Sequence, residues 1–257
     1  MSSLSTAQEK LLHMQSKKVL ILGGTRDARQ LAFRLIHAGH DVTTSFAGVT
    51  EHPVQPEGKV RVGGFGGVEG LRQYLRAEKY DVLVDATHPF AAIISANAAQ
   101  AAGGILLLRL ERPAWTARPD DIWIDVENIE AAVSAIPLNA SVMLTIGRKE
   151  IEPFIKRADL KGVTRMIEPT AIALPRSWDL ILERPPFTLE NEMALLRDHG
   201  ITHLVSKNAG GSETETKLVA ARNLKIPVIM IARPFKPAVT TYSSVEAVNA
   251  HISSGTV

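Results

Sequence analysis

The stretch DVLVDATHPFAAIISANAAQAAGGILLLRLERPAW, residues 81–115, decides the fold. Its opening, residues 81–85, is an apolar run that predicts a strand buried on both faces. An Ala-rich helix over about residues 90–102 and a second apolar strand over 105–110 follow. A strand, a crossover helix and another strand form the repeating unit of a parallel α/β sheet. Polar residues follow the first strand, where such sheets bind ligands.

The rest of the chain repeats this alternation. Before the stretch, the pattern predicts strands at residues 18–23, 41–46 and 59–62, helices at 28–36 and 68–78, and a loop at 47–59. After a break at 113–121, it predicts strands at 141–146, 163–167, 202–205 and 228–231, and helices at 150–157, 191–199 and 212–223. The fold class is therefore α/β, with two Rossmann-like lobes, parallel sheets and a cleft between the lobes. We expect an N-terminal extension at 1–17, a first Rossmann-like lobe at 18–113 and a second lobe at 114–257 that contributes to the cleft.

The two halves resemble each other in sequence. A shift of 121 residues places Leu83-Val84 on Leu204-Val205 and Arg112-Pro113 on Arg233-Pro234. Hydrophobic matches arise readily between any two such units, so the matched Arg-Pro pair is the more informative. Internal duplication and two lobes without shared ancestry both remain open.

Composition excludes several classes of protein. The 257 residues carry a formal net charge of +2 with Lys and Arg scattered, which indicates no nucleic-acid partner. The chain has no cysteine, which excludes disulfides and Cys-ligated metal, and no His pair has the H-E-x-x-H spacing, so no metal site is predicted. No apolar run spans a membrane and the N-terminus lacks a signal peptide, so a cytoplasmic location is expected.

The first glycine turn, Gly23-Gly24-Thr25, leads into a helix at Arg26. Glycines let a backbone approach a pyrophosphate, and a helix N-terminus favours anions. The turn is neither G-x-G-x-x-G nor a Walker loop, so a plain tight turn is the alternative.

Ser45 ends the second strand, where NAD-specific sites carry a carboxylate. The absence of a carboxylate favours NADP, with Ser45 as a donor and Arg26 or Arg61 nearby; ordinary strand-end residues are the alternative.

Two further strand ends carry candidate ligand contacts. The run Gly63-Gly64-Phe65-Gly66-Gly67 suggests a wall around a cofactor, with a flexible loop as the alternative. The run Thr87-His88-Pro89-Phe90 includes a possible acid or base, although a lone histidine is more often structural. Short-chain dehydrogenase chemistry in its usual form is excluded, because no tyrosine is followed four residues later by lysine.

Several cations follow the strands or the turns next to them. Each alone is an ordinary surface charge, but together they suit a ligand with several carboxylates. They are Arg112, Arg148, Lys149, Lys207 and Arg233.

Taken together, these residues resemble the precorrin-6A reductase family of cobalamin biosynthesis. The matching runs are VLILGGTRDARQLA, VRVGGFGGVEGL, DVLVDATHPFA, LRLERPAW, TIGRKEIEPF and SKNAGGSETETKLVAARNLKIPVIMIARP. They cover most of residues 18–235, and the most specific is D-A-T-H-P-F-A followed by R-P-x-W.

The resemblance implies hydride transfer from NADPH to the C18–C19 double bond of precorrin-6A, giving precorrin-6B. It implies a first lobe that binds NADP through Gly23, Gly24, Thr25, Arg26, Ser45, Gly63, Gly64, Phe65, Thr87, His88 and Pro89. His88 is expected to position ligands rather than act as the catalyst. The precorrin carboxylates would meet Arg112, Arg148, Lys149, Lys207 and Arg233, with Trp115 covering the macrocycle or packing at a hinge. The alternatives are a cobalt-precorrin-6A reductase that uses NADH and a non-catalytic NADP-binding sensor.

Overall fold

The computed structural model describes residues 16–48 and 55–254. Nearly all of the predicted N-terminal extension, and the middle of the predicted loop at 47–59, lie outside the described residues. The chain divides into two compact units. Unit 1 comprises Met1–Arg112 and Phe235–Val257, and unit 2 comprises Pro113–Pro234.

The described elements alternate along the chain as an α/β protein requires. In chain order they are β1 (Lys18–Leu22), α1 (Arg26–His37), β2 (Asp41–Phe46), β3 (Lys59–Val62), α2 (Gly67–Ala77), β4 (Val82–Asp85), α3 (Ala92–Ala101), β5 (Leu106–Leu110), β6 (Trp123–Val126), α4 (Ile129–Ala135), β7 (Ser141–Thr145), α5 (Glu152–Ile155), β8 (Lys161–Met166), β9 (Trp178–Leu182), α6 (Leu189–Asp198), β10 (His203–Lys207), a 3₁₀ turn (Ser212–Thr214), α7 (Thr216–Asn223), β11 (Val228–Ile231), β12 (Thr240–Tyr242) and α8 (Val245–Ser253).

Unit 1 is a six-stranded parallel sheet with the order β12-β5-β4-β1-β2-β3. Helices pack on both faces, because alternate residues of each strand point to opposite sides. Val19 and Ile21 of β1 join a core with Leu31 and Leu35 of α1. Leu20 and Leu22 join the opposite core, with Leu71 and Leu75 of α2. The strand order reverses between β1 and β4, and such a switch point is the usual ligand crevice of an open α/β sheet.

Unit 2 has the same architecture. Its six parallel strands have the order β6-β11-β10-β7-β8-β9. One core is formed by Met143, Leu204 and Met230 of the sheet with Leu196 and Leu218 of the helices. The two sheets confirm the predicted α/β class with parallel sheets.

The sixth strand lies at the same edge of the sheet in both units. β12 lies beside β5 in unit 1, and β6 lies beside β11 at the corresponding edge of unit 2. Yet β6 follows β5 in the chain, and β12 follows β11. The run β1–β5 is therefore completed by a strand that follows unit 2 in the chain, whereas β6 precedes β7–β11 within the continuous segment of unit 2. This position-by-position correspondence favours internal duplication over two unrelated lobes.

The C-terminal segment, residues 235–257, differs from the prediction, which placed it in the second lobe. It belongs to unit 1. β12 pairs with β5, and Val245, Val248 and Ile252 of α8 are buried in the core that contains α1. Burial of these three apolar side chains favours this position, since each contributes about 1.5–3 kcal/mol when fully buried.

Some elements were not predicted from the sequence. They are β6, β9 and β12 among the strands, and α4 and α8 among the helices. The predicted helix at 150–157 is shortened to Glu152–Ile155, and the predicted helix at 212–223 begins with a 3₁₀ turn. The missed strands are short or only partly buried: both middle residues of β6 are exposed. A short edge strand lacks the continuous apolar run that identifies a central one. Within the described ranges, every helix is too short or too polar to cross a membrane.

Candidate functional site

The turn between β1 and α1 is fixed by the Thr25 hydroxyl. Thr25 caps α1: its oxygen accepts a hydrogen bond from Ala28 N at 3.0 Å and donates to Ala86 O at 2.8 Å. The hydroxyl proton is therefore committed to the end of β4, so Thr25 has no proton to offer a phosphate in this arrangement. The backbone N–H groups at the start of α1 are the donors that an anion would meet.

The two glycines of this turn serve different purposes. A Cβ on Gly23 would lie 2.7 Å from the Thr44 methyl carbon, so Gly23 is required for packing against β2. Gly24 has φ +108°, and a Cβ there would meet nothing within 4 Å. Gly24 therefore borders open space, where a ligand can approach bare backbone.

Arg61 organises the ends of β2 and β3. It is in register with Ser45, and its Nη1 lies 3.4 Å from Ser45 Oγ. The guanidinium also donates to the carbonyls of Gly63 and Gly64 and lies 3.8 Å from the centre of the Phe65 ring. The sequence indicated that Arg61 is near Ser45. It gave no sign that Arg61 also holds the glycine-rich loop.

The glycine-rich loop is anchored by Phe65. The ring packs 5.4 Å from that of Tyr74, and a Cβ on Gly70 would lie 1.7 Å from the Phe65 carbonyl oxygen. By contrast, a Cβ on Gly63 or Gly64 would meet nothing within 4 Å. The loop thus presents bare backbone over a fixed aromatic anchor, as the wall interpretation requires. Phe65 itself is a packing residue in this structure.

A buried ion pair lies where β4 and β5 end. Asp85 and Arg109 are in register, and Arg109 Nε donates to Asp85 Oδ2 at 3.1 Å. Asp85 is 1% exposed and Arg109 is 6% exposed. Asp85 Oδ1 accepts from the N–H of Thr87 at 3.3 Å and from its hydroxyl at 2.6 Å. Arg109 Nη1 donates to Pro237 O at 3.0 Å, which ties the C-terminal segment to this strand end.

The electrostatics of this strand end keep Asp85 ionised. Burial alone raises the pKa of the Asp85 carboxyl, but the hydroxyls of Thr87 and Ser95, the charge of Lys236 and the Arg109 guanidinium outweigh it and hold the pKa below its ordinary value. Lys236 is itself paired with Glu111 at 2.6 Å. The strand ends therefore carry two balanced pairs of buried charges.

His88 is exposed, while Pro89 after it is buried. The Phe90 N–H donates to His88 Nδ1 at 3.3 Å, which places the proton of a neutral ring on Nε2. The His88 and Phe90 rings lie 5.8 Å apart.

Arg112, predicted to contact substrate, donates to Asp27 at 3.1 Å in the first turn of α1. That contact places Arg112 beside the β1–α1 turn of unit 1.

In unit 2, the loops after β7 and β10 correspond to those after β1 and β4. Glu150 joins them, because it accepts from Gly147 N at 3.1 Å and pairs with Lys207 Nζ. Arg148 donates to Pro169 O at 3.3 Å and lies 3.7 Å from Glu168. These predicted substrate cations are thus paired with carboxylates, while Lys149 is exposed.

Trp115 and Arg233 pack against the loop after β10. The Trp115 backbone exchanges two hydrogen bonds with the Asn208 side chain, at 2.8 and 3.0 Å, and its indole donates to Gly211 O at 3.0 Å. Arg233 donates to Asn208 O at 2.9 Å and Ala209 O at 3.1 Å. These contacts fit a packing role for Trp115 and a loop-holding role for Arg233.

A family model described as "Precorrin-6x reductase CbiJ/CobK" matches residues 18–253. The chain belongs to the precorrin-6x reductase family. The match confirms the resemblance drawn from the sequence and spans both units.

Two relatives of this precorrin-6x reductase family chain align with it over more than nine-tenths of their own length. The chain is 45% identical to precorrin-6A reductase of Rhodococcus erythropolis, over 87% of this chain and 92% of that one. It is 32% identical to cobalt-precorrin-6A reductase of Priestia megaterium, over 90% and 96% of the two chains. A solved structure of CobK precorrin-6A reductase superimposes with a TM-score of 0.87 at 41% identity, covering 93% of this chain and 96% of that one.

The structure identifies candidate site residues of this precorrin-6x reductase family chain that the sequence analysis missed. Asp85, Arg109 and Glu150 were not predicted. Asp85 is the first residue of the specific run D-A-T-H-P-F-A, and Arg109 interrupts the apolar run LLLRL, so each carried a signal in the sequence. A charged side chain inside a buried strand requires an oppositely charged or hydrogen-bonding partner. A charged residue in an otherwise apolar run is therefore a candidate site residue. Within residues 16–48 and 55–254, no group of three His, Asp or Glu side chains is placed to hold a metal.

Proposed function

We propose that the protein is a precorrin-6A reductase of cobalamin biosynthesis, which uses NADPH to reduce the C18–C19 double bond of the macrocycle and gives precorrin-6B. The main support is its identity of 45% to the Rhodococcus erythropolis precorrin-6A reductase over nine-tenths of that chain. The 48% identity to the enzyme of Mycobacterium tuberculosis H37Rv agrees. The cobalt-precorrin-6A relative from Priestia megaterium is more distant, at 32%, which favours the metal-free substrate.

Unit 1 has the features that a dinucleotide requires. Bare backbone at Gly24, the N-terminus of α1 and the open loop at Gly63 and Gly64 suit the phosphates and the flank of the cofactor. Ser45 and Arg61 meet in register where a 2′-phosphate would bind, and residues 42–48 contain no carboxylate. NADPH, when bound, supplies the hydride. The protein's contribution is to orient the reacting carbons and exclude water.

Unit 2 suits the carboxylates of the macrocycle. Arg148 and Lys149 follow β7 and Lys207 ends β10, and the strand order of this sheet reverses between these two strands. Because Glu168 and Glu150 already accompany two of these cations, substrate carboxylates would compete with or join protein carboxylates. Such charge-assisted bonds fix orientation as well as affinity.

Direct assay tests the proposal. The protein is titrated with NADPH and NADH, and the absorbance of precorrin-6A and of its cobalt complex is followed under turnover. We expect turnover of precorrin-6A with NADPH. Turnover of only the cobalt complex with NADH would identify the anaerobic reaction instead. Nucleotide binding without a spectral change of either substrate would indicate a non-catalytic sensor.

Cofactor choice is expected to depend on the end of β2. Ser45→Asp introduces a carboxylate that would repel a 2′-phosphate and accept the ribose hydroxyls of NADH. Arg61 Nη1 lies 3.4 Å from Ser45 Oγ, so the new carboxylate can pair with Arg61; the fold should then tolerate it, and Arg61 is withdrawn from the 2′-phosphate. We expect the ratio of kcat/KM for NADPH over NADH to fall at least about tenfold. Ser45→Ala is the control and should leave NADPH preferred; an unchanged ratio in the Asp variant would place the 2′-phosphate elsewhere.

His88 is expected to be dispensable for proton transfer. Its ring is exposed and its Nδ1 accepts from the neighbouring backbone, and a conjugated imine can take its proton from solvent. His88→Ala should lower kcat by less than about tenfold, whereas loss of a general acid costs about 10²–10⁴-fold. Single-turnover absorbance at saturating NADPH measures the effect, with His37→Ala as the matched exposed control. Abolished turnover with NADPH binding intact would show that His88 is the acid.

A further inference from the structure

The neighbours of the Thr87 hydroxyl decide whether it donates or accepts a hydrogen bond. Thr87 Oγ lies 2.6 Å from Asp85 Oδ1, and the Thr87 backbone N–H reaches the same oxygen at 3.3 Å. An ionised carboxylate accepts and cannot donate, so the shared proton comes from Thr87. With that proton committed, the Thr87 oxygen has only lone pairs to offer a ligand.

Arg109 makes this arrangement rigid. It holds the other carboxylate oxygen of Asp85 at 3.1 Å, and both side chains are buried. Protonating Asp85 would leave the Arg109 guanidinium buried without its counter-charge, which costs several kcal/mol. The carboxylate therefore stays ionised, and Thr87 stays an acceptor. Thr87 itself is half-buried and so remains reachable.

The topology places Thr87 on the side of the proposed dinucleotide site that lies away from the adenosine. β4 lies beside β1, on the side away from β2. In sheets of this order the dinucleotide spans the crevice between the two halves, with its pyrophosphate at the first strand–helix turn. Ser45 and Arg61 end β2 and β3 on the adenosine side. The Thr25 hydroxyl bond to Ala86 O joins that turn directly to the residue before Thr87, so the second nucleotide falls at Thr87.

We infer that the Thr87 oxygen accepts a hydrogen bond from the carboxamide N–H of the nicotinamide, and that Asp85 is the positioning residue that sets Thr87 as an acceptor. This inference rests on the proposed function. It assigns a specific chemistry to the loop after β4: recognition of a primary amide by its N–H. A ring that carries an acetyl group in place of the amide offers only an oxygen, which would face the Thr87 lone pairs.

The test compares two ligands on the full-length protein by calorimetry. They are NADP⁺ and its 3-acetylpyridine analogue, which lacks the amide N–H. For the wild-type protein we expect NADP⁺ to bind about fivefold more tightly, the worth of one neutral hydrogen bond. Thr87→Val should bring the ratio of the two Kd values to about one, and Thr87→Ser should keep the wild-type ratio. Asp85→Asn should lower the ratio, because its amide cannot accept from both Thr87 and Arg109.

The possible results distinguish failure of the Thr87 inference from failure of the proposed NADP site. Equal affinities in the wild type, or a wild-type ratio in Thr87→Val, would overturn the role of Thr87. A wild-type ratio in a folded Asp85→Asn variant would overturn the role of Asp85. Failure of the wild-type protein to bind either nucleotide would overturn the proposed NADP site itself, and the inference with it. Thermal melts of each variant establish that the comparison is made on folded protein.

Discussion

Val248→Asp is expected to unfold unit 1 and abolish NADP⁺ binding, although Val248 lies near the C-terminus of the chain. Val248 of α8 is 0% exposed and packs in the core that holds α1 and the alternate residues of β1. A carboxylate without a partner at that depth costs several kcal/mol, comparable with the whole stability of about 5–15 kcal/mol of a domain. The β1–α1 turn, where the phosphates of NADP are proposed to bind, would lose its support.

Hydrogen exchange followed by mass spectrometry measures this effect region by region. We expect amide protection to be lost in β1, β4 and β5, and retained in β7 and β10, because those strands belong to unit 2. Ala250→Asp is the matched control, since Ala250 is on the exposed side of the same helix. Wild-type protection of β1 in the Val248 variant would contradict the assignment of α8 to this core.

Asp85→Ala is expected to destabilise the protein by about 3–5 kcal/mol, as breaking a buried ion pair does. It would leave the Arg109 guanidinium buried without a counter-charge and release Thr87 from its two hydrogen bonds. Urea denaturation at neutral pH measures the loss. Asp41→Ala is the comparison, because the Asp41–Lys59 pair at 2.8 Å is exposed and should be worth about 0–1 kcal/mol.

The pH dependence of that difference has a definite sign. The pKa of Asp85 is lower in the folded protein than its ordinary value of 3.8. The folded state therefore favours the ionised form, and the stabilisation is fully present above the ordinary pKa. The gap between wild type and Asp85→Ala should be constant between about pH 5 and 8, and should shrink only as the pH falls below about 4. A gap that already shrinks between pH 8 and 6 would assign the effect to another group.

The central strands were predictable because burial on both faces leaves a mark in local sequence. β1, β4 and β7 each contain a continuous apolar run, and the strand ends then locate the crevices. The place of β12 was not predictable. It pairs Thr240 with Leu108, and nothing in the short sequence TTY specifies a partner so far away.

The contacts of individual site residues likewise divide into those that the sequence predicted and those that it did not. The sequence identified the turn at Gly23–Thr25 but not the direction of the Thr25 hydroxyl, which depends on a carbonyl 61 residues away. It matched Arg112 with Arg233 as repeats, yet Arg112 pairs with Asp27 while Arg233 donates to backbone carbonyls. Equivalent positions in the two halves therefore acquired different partners. Such partners are set by tertiary packing, which spacing along the chain does not encode.

The return of the chain to unit 1 for its sixth strand dictates an order of completion during synthesis. Unit 2 is one continuous segment, Pro113–Pro234, whereas unit 1 needs both ends of the chain. When β5 emerges from the ribosome, its outer edge has no neighbour and the apolar side of α1 has no α8. Both wait while residues 113–234 are translated, on the order of ten seconds at ordinary elongation rates. Unit 1, which is proposed to bind the nucleotide, is thus begun first and closed last, so a nascent chain that stalls before β12 lacks a finished unit 1.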